Sequence, residues 1–162
     1  MKTRFDPSDV AAAVDQLFHQ VTAAFAPDQP INVVGIRTRG SILANRIVAR
    51  LRQTGYTLVD HGVIDVTMYR DDIARLGPRP LVGKTRLDLE IDGKPLLLVD
   101  DVLSTGRTLR AAMDAIADFG RPGSLKTAVL VDRGGRELPI SADFAGLRLD
   151  QVPAGRRGEG AC

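Results

Sequence analysis

A chain of 162 residues is sized for one domain and is long enough to bury most of its apolar surface. Hydrophobic residues make up 44% and charged residues 26%, the balance of an ordinary globular protein rather than a disordered or fibrous one. A net charge of only +2 carries no polyanion-binding signature, and five Phe, two Tyr and no Trp leave few rings for stacking on bases.

In chain order, Met1 to Phe5 brings early positive charge with no apolar run behind it, which is not a signal peptide. Asp6-Pro7-Ser8-Asp9 is a helix start: Asp6 caps, Pro7 suits the first helical position, and Asp9 favours the dipole. Val10, Val14, Leu17, Phe18, Val21 and Phe25 mark one helical face, and Pro27 to Pro30 ends it. His19 falls among the polar positions. Ile31 to Ile36 reads as a strand, and Ser41 to Gln53 as a helix with Ile42, Leu43, Ile47 and Leu51 inward. Between them lies the loop Arg37-Thr38-Arg39-Gly40, whose N–H groups, hydroxyl and guanidinium suit an anion. Tyr56 to Val59 and Val63 to Met68 alternate as strands do. From Arg70 to Lys84 the pattern dissolves into charges, Gly77, Pro78, Pro80 and Gly83, a long connection typical of a functional lid or a disordered segment. Arg86 to Ile91 is expected to return as a strand, turning at Asp92-Gly93.

The next stretch organises the rest. Leu96 to Val99 is an apolar run that ends in two carboxylates, Asp100 and Asp101. A short loop of small and hydroxylated residues follows, then a helix with Leu109, Ala112, Met113, Ile116 and Phe119 on one face. A helix start supplies free N–H groups and the positive end of the dipole, which together hold a phosphate. Thr105 and Thr108 add hydroxyl donors, Gly106 lets the backbone come close, and Arg107 adds charge. Paired carboxylates beside such a cradle suit a ribose, whose 2′ and 3′ hydroxyls donate to them, or a bound Mg²⁺. Ribose, phosphate and metal together point to a phosphoribosyl compound.

Phe119 to Gly123 ends this helix, Leu125 to Val131 is another buried strand, and Asp132 to Pro139 is a third loop at a strand exit. Ligands gather at the carboxyl ends of strands in an open, mostly parallel sheet, so the three loops share one rim. No G-x-x-x-x-G-K-[ST] loop is present to support an ATPase. The Gly- and Arg-rich residues 151–162 have no strand pattern and are expected to form a disordered tail beyond a domain at 1–150. The single Cys162 excludes an intramolecular disulfide, and two His with one Cys form no zinc cluster. That cysteine usage fits a reducing cytoplasm, the expected location, and no apolar stretch reaches membrane-spanning length.

The stretch from Leu96 to Thr108 resembles the phosphoribosyl pyrophosphate (PRPP) signature of type I phosphoribosyltransferases. Three further blocks, Gly35 to Gly40, Ile64 to Asp72 and Val131 to Ile140, resemble the PyrR family, which combines uracil phosphoribosyltransferase activity with RNA-dependent control of pyrimidine genes. The resemblance runs in order over roughly residues 5 to 150. It implies an α/β type I phosphoribosyltransferase fold: a mostly parallel twisted sheet flanked by helices, with a flexible lid at about 70–90. The implied reaction converts PRPP and uracil to UMP and pyrophosphate, with Mg²⁺ as cofactor.

By the same resemblance Asp100, Asp101 and Arg39 are catalytic. PRPP is held by Thr38, Arg39, Gly40, Arg70 of the lid, Asp100, Asp101, Val102, Leu103, Ser104, Thr105, Gly106, Arg107 and Thr108. Asp132, Arg133 and Gly134 border the base pocket, where main-chain groups read the uracil edge, and His19 is linked to RNA contact. No residue is assigned as a direct metal ligand. Dimers or tetramers are implied. Two alternatives stay open: a UMP-sensing RNA-binding attenuation regulator with little catalysis, and a phosphoribosyltransferase for another base.

The chain departs from the family's pattern at several places. Ser104 stands where a bulkier aromatic is common, and Gly135 lies where a His is common. After Leu149 the family continues with at least one more strand. Ala11, Ala12, Gln16 and Ser141 occupy positions that are basic in relatives, and no Lys or Arg occurs between Arg4 and Arg37. Phosphate contact supplies most nucleic-acid affinity, so RNA binding is expected to be weakened.

Overall fold

The computed structural model describes residues 6–69 and 87–149. The elements run α1 (Pro7–Ala24), β1 (Ile31–Ile36), α2 (Arg39–Gln53), β2 (Val59–Ile64), a 3₁₀ turn (Thr67–Tyr69), β3 (Pro95–Leu103), α3 (Arg107–Ala117), β4 (Ser124–Asp132) and β5 (Phe144–Arg148). All five strands pair in parallel, in the order β2-β1-β3-β4-β5.

A strand buried at every position must be covered on both faces, and β1 is such a strand. Successive residues of β1 and β3 face opposite sides. Val33, Leu97 and Val99 join a cluster with Val14, Leu17 and Val21 of α1 and Leu43, Ile47 and Leu51 of α2. Val34, Leu96 and Leu98 join Leu109, Ala112 and Ile116 of α3 on the other face. Among the described residues no helix is long and apolar enough to cross a membrane.

The helix start at Asp6 forms as its residues dictate. Asp6 Oδ1 accepts the Asp9 N–H at 2.9 Å, and the Asp6 N–H donates to Asp9 Oδ2 at 3.1 Å, a reciprocal capping box. Elsewhere tertiary packing moved the expected boundaries. Helix α2 begins two residues early, at Arg39, and Ile42 is 57% exposed rather than inward. Gly40 faces β3 and sets the helical phase, so Gly40, Leu43, Ala44, Ile47, Val48 and Leu51 form the buried face. Helix α3 ends at Ala117, and Phe119, expected on its buried face, is half-exposed beyond it.

The two strand segments expected around Asp60-His61-Gly62 are one strand. Six-residue pairing with β1, from Ile31↔Val59 to Ile36↔Ile64, carries β2 straight through its polar centre, which an edge strand tolerates. Tyr56 to Leu58 precede it as irregular chain. Beyond it, Asp65 Oδ1 accepts the Thr67 N–H at 2.8 Å and hydroxyl at 2.6 Å, which turns the chain into the 3₁₀ segment instead of further strand. Leu87 to Ile91 form no strand either. The Asn32 amide donates to the Glu90 carbonyl at 2.7 Å, a side-chain bond in place of a ladder. The rest of the expected lid, residues 70–86, and the expected tail, with residues 150–162, lie outside the described residues.

Strand β5 was not apparent in the sequence. It is held at the sheet edge by α1, whose Gln20 side chain donates to the Ala145 carbonyl at 2.8 Å and accepts the Ala145 N–H at 3.1 Å. Gly146 allows this approach, since a Cβ there would collide with the Ala13 carbonyl.

Candidate active site

In the order β2-β1-β3-β4-β5, the chain leaves β1 toward one side of the sheet and β3 toward the other, which opens a crevice at their carboxyl ends. A cleft of about 330 Å³ lies there. It is lined by Arg37, Thr38 and Arg39 from the β1 exit, Asp65 and Thr67 from the β2 exit, and Asp100, Asp101, Val102 and Thr108. A smaller pocket of about 70 Å³ adjoins it, lined by Asp100, Val102, Leu103, Ser104, Thr105, Gly106 and Thr108. Asp100, Val102 and Thr108 border both.

The β1 exit loop contains a cis peptide between Arg37 and Thr38. Helix α2 starts without a side-chain cap at Thr38, the arrangement that leaves first-turn N–H groups for an anion. Gly40 brings this helix against β3. A Cβ at Gly40 would stand 2.6 Å from the Val99 carbonyl oxygen and 3.2 Å from Asp100 Oδ1. Only hydrogen fits there, so one glycine sets how close the first loop comes to the carboxylates.

Asp100 and Asp101 lie inside β3, which runs on to Leu103, rather than at its end as the apolar run implied. The ladder continues because Asp100 pairs with Val129 and Val102 with Val131 of β4. Asp100 is 7% exposed, and its Oδ1 accepts the Asp101 N–H at 2.8 Å. Burial first, then the neighbouring Asp101 carboxyl, push the Asp100 carboxyl up to about 8. At neutral pH the Asp100 carboxyl therefore holds its proton in the ligand-free protein.

The loop after β3 is covered by the loop after β4. Gly106 takes φ +95° at the α3 N-cap, and a Cβ there would stand 3.3 Å from the Ile140 Cβ. The Glu137 and Leu138 N–H groups both donate to the Thr105 carbonyl, at 2.9 and 3.0 Å. The Arg107 guanidinium pairs with Glu137 at 2.8 Å, so this arginine reaches across to the β4 loop.

Asp132, at the end of β4, is 7% exposed. Its carboxylate accepts the Gly134 N–H at 3.0 Å, two bonds from Arg136 at 2.9 and 2.7 Å, and one from Arg148 at 3.2 Å. The Arg136 guanidinium, above all, holds this carboxyl below the usual carboxylate range against the opposing effect of burial. Asp132 is thus occupied within its own loop, and Arg133 donates its N–H to the Leu103 carbonyl at 3.0 Å. Gly134, with φ +73°, is buried beside them.

The fold thus brings Thr38, Arg39, Asp100, Asp101, Val102 and Thr108 around one cleft and Leu103 to Gly106 around its neighbour. His19 stands exposed on α1 and lines neither, and Arg70 lies outside the described residues. Sequence reasoning missed Asp65, Thr67 and Arg136. Asp65 carried a usable signal, since it is an acid at the end of an apolar strand, as Asp100 is. Arg136 carried none, because its bond to the Ser104 carbonyl joins two loops far apart in the chain.

A model of the phosphoribosyl transferase domain matches residues 6–154. The bifunctional protein PyrR of Roseiflexus sp. is 47% identical over 148 residues, covering 91% of this chain and 81% of that protein. The bifunctional protein PyrR of Chloroflexus aurantiacus is 49% identical over 87% of this chain and 78% of its own length. Among solved structures, a purine phosphoribosyltransferase from Pyrococcus horikoshii superposes with a TM-score of 0.67 at 21% identity, covering 90% of this chain and 86% of that one. A hypoxanthine-guanine phosphoribosyltransferase from Bacillus anthracis does so with 0.68 at 22%, covering 93% and 85%. These structural likenesses establish the fold, and the closer sequence identities narrow it: the chain belongs to the phosphoribosyl transferase family and, within it, to the PyrR proteins.

Proposed function

We propose that the protein transfers the phosphoribosyl group of PRPP to uracil, releasing pyrophosphate and forming UMP. The observation that carries this is the Asp100–Asp101 pair set between the N-termini of α2 and α3, at the mouth of a parallel sheet. Two helix N-termini hold two anionic groups, and the carboxylates between them receive the ribose hydroxyls. In the reaction the bond from the ribose anomeric carbon to pyrophosphate breaks. A bond to uracil N1 forms, and the N1 proton is released. Positive charge grows on the sugar ring as the leaving group departs, and Asp100 and Asp101 offset it.

Thr105, Gly106, Arg107 and Thr108 take the 5′-phosphate, with Val102, Leu103 and Ser104 lining its approach. Thr38, Arg39 and Gly40 take the pyrophosphate, and the family resemblance assigns Arg70 to the same group. Asp132, Arg133 and Gly134 border the base pocket, with the Arg133 and Gly134 N–H groups bonded to the Leu103 carbonyl and the Asp132 carboxylate. The donor set fits Mg²⁺, which takes hard oxygen ligands from one or two carboxylates together with substrate phosphates and water. Among the described residues no group of three or more His, Cys, Asp or Glu side chains that could hold a metal ion is present. Asp100 and Asp101 would hold Mg²⁺, and when bound it neutralises charge on the departing pyrophosphate.

The regulatory arm is proposed to be weak, in a cytoplasmic homo-oligomer. The exposed face of α1 presents Ala11, Ala12, Asp15, Gln16 and His19, with no Lys or Arg. The cation beside it, Arg50 of α2, is already paired with Asp15 at 2.8 Å and stacked on the Phe18 ring at 4.3 Å. The decisive assay is purified protein with PRPP, Mg²⁺ and a panel of bases, following pyrophosphate release. Uracil turns over fastest if the proposal holds. Faster turnover of hypoxanthine, guanine or orotate refutes the base assignment, and UMP binding without turnover of any base favours a sensor.

A further inference from the structure

We propose that Arg136 is a positioning residue for the base: its guanidinium fastens the loop after β4 to the loop after β3, and so sets where uracil stands relative to the ribose. This rests on the uracil transfer proposed above. Five N–H groups are available on a guanidinium, arranged as a rigid fork. Arg136 uses them in three directions. Nη1 and Nη2 grip Asp132 at 2.9 and 2.7 Å, Nη1 also donates to the Ser104 carbonyl at 3.1 Å, and Nε donates to the Ile140 carbonyl at 2.6 Å.

These partners have distinct tasks. Ser104 belongs to the loop proposed to hold the 5′-phosphate, Asp132 begins the loop proposed to border the base, and Ile140 ends it. The side chains of Arg136 and Asp132 are only 26% and 10% exposed, so the pair is little screened by solvent. Arg148 of β5 adds a second cation to Asp132 at 3.2 Å and ties the assembly to the sheet edge. No other side chain among those described bonds both loops at their main chain and the buried acid between them. The two loops behave as one rim, joined by main-chain bonds to the Thr105 and Leu103 carbonyls and locked by the fork of Arg136. Arg136 itself lines neither pocket, so it acts through the groups it holds.

The consequence is selective. The β1 exit loop and the Asp100–Asp101 pair are built without Arg136, and Thr105 keeps its bonds from the Glu137 and Leu138 N–H groups, so PRPP capture depends on Arg136 less than uracil placement does. Transfer to uracil is the sensitive step, since a small misplacement of a reacting atom costs rate steeply. Arg136→Lys keeps the charge but cannot span Asp132, Ser104 and Ile140 together.

The experiment compares wild type, Arg136→Lys and Arg136→Ala in steady-state kinetics with each substrate varied, alongside amide hydrogen exchange. Arg136→Lys is expected to lower kcat/KM for uracil by about 10- to 100-fold while leaving KM for PRPP within about twofold of wild type. The Glu137 and Leu138 amides, which bond the Thr105 carbonyl, should exchange faster in the variant. Added guanidinium ion should restore part of the uracil turnover of Arg136→Ala. Wild-type uracil kinetics in Arg136→Lys overturn the proposal. Equal losses for uracil and PRPP overturn it too, since they mark a general structural role. If Arg136→Ala does not fold, the lysine variant and its exchange pattern decide alone. Failure of the wild type to use uracil counts against the proposed function instead.

Discussion

Replacing Asp100 with Asn should make the ligand-free protein more stable and the enzyme worse. Asp100 is 7% exposed, and burial with the adjacent Asp101 raises its carboxyl from 3.8 to about 8. The unfolded chain releases this proton near 3.8 and the folded chain only near 8, so between those values the folded state binds more protons. Stability therefore falls as pH rises through that window and levels off above it. A tenfold change in proton affinity corresponds to about 1.36 kcal/mol, which sets a ceiling of about 6 kcal/mol for the destabilisation above pH 8. Asn is nearly isosteric, keeps an oxygen for the Asp101 N–H and carries no charge. The gain in melting temperature should be near zero at pH 4 and grow to on the order of 10 °C at pH 8. Thermal melts from pH 4 to 9, with EDTA and without PRPP, measure it. In the same variant uracil turnover should fall about 10- to 100-fold, because a charged partner of the ribose is lost. A melting temperature that drops in the variant at pH 8, or a difference that does not vary with pH, refutes the reasoning.

Other perturbations probe separate parts of the structure. Asp101→Asn, at the half-buried partner, should lower kcat about 10- to 100-fold, read as pyrophosphate release; a folded variant with full activity removes the ribose role. Gly40→Ala forces a Cβ against the Val99 carbonyl and should cost about 1–3 kcal/mol in urea melts while raising KM for PRPP. Asp132 is held below its ordinary range by Arg136, so its contribution is present above 3.8 and lost as pH falls through its folded value. Asp132→Asn should accordingly destabilise the protein at pH 7 by about 2–3 kcal/mol, and by progressively less in acid melts below pH 4. Titration with a pyrimidine-operon leader RNA from the protein's own source should show weak binding with a shallow salt slope. Tight, UMP-enhanced binding that survives deletion of residues 153–162 would restore RNA control as a main function.

Local chemistry was sufficient for the parts of this protein whose causes lie close together in the chain. The capping box at Asp6 and Asp9 spans three residues, so α1 was legible at its first residue. Five of the six residues of β1 are apolar or glycine, the mark of a buried strand, and the acid pair before a Thr-Gly-Arg-Thr helix start announced a phosphoribosyl site. What tertiary structure decided is non-local. Pairing with β1 carried β2 through Asp60-His61-Gly62, against its own alternation. Gly40 turned Ile42 outward by facing a strand some sixty positions away in sequence, a contact no helical period predicts. Strand β5 became a strand because Gln20, distant in the chain, supplies both an acceptor and a donor to Ala145. The proton on Asp100 follows from burial, and the hold of Arg136 on Asp132, Ser104 and Ile140 follows from two loops meeting. Desolvation and cross-loop hydrogen bonds exist only once the chain has closed on itself. The residues named the chemistry, and the packing set its charge and its geometry.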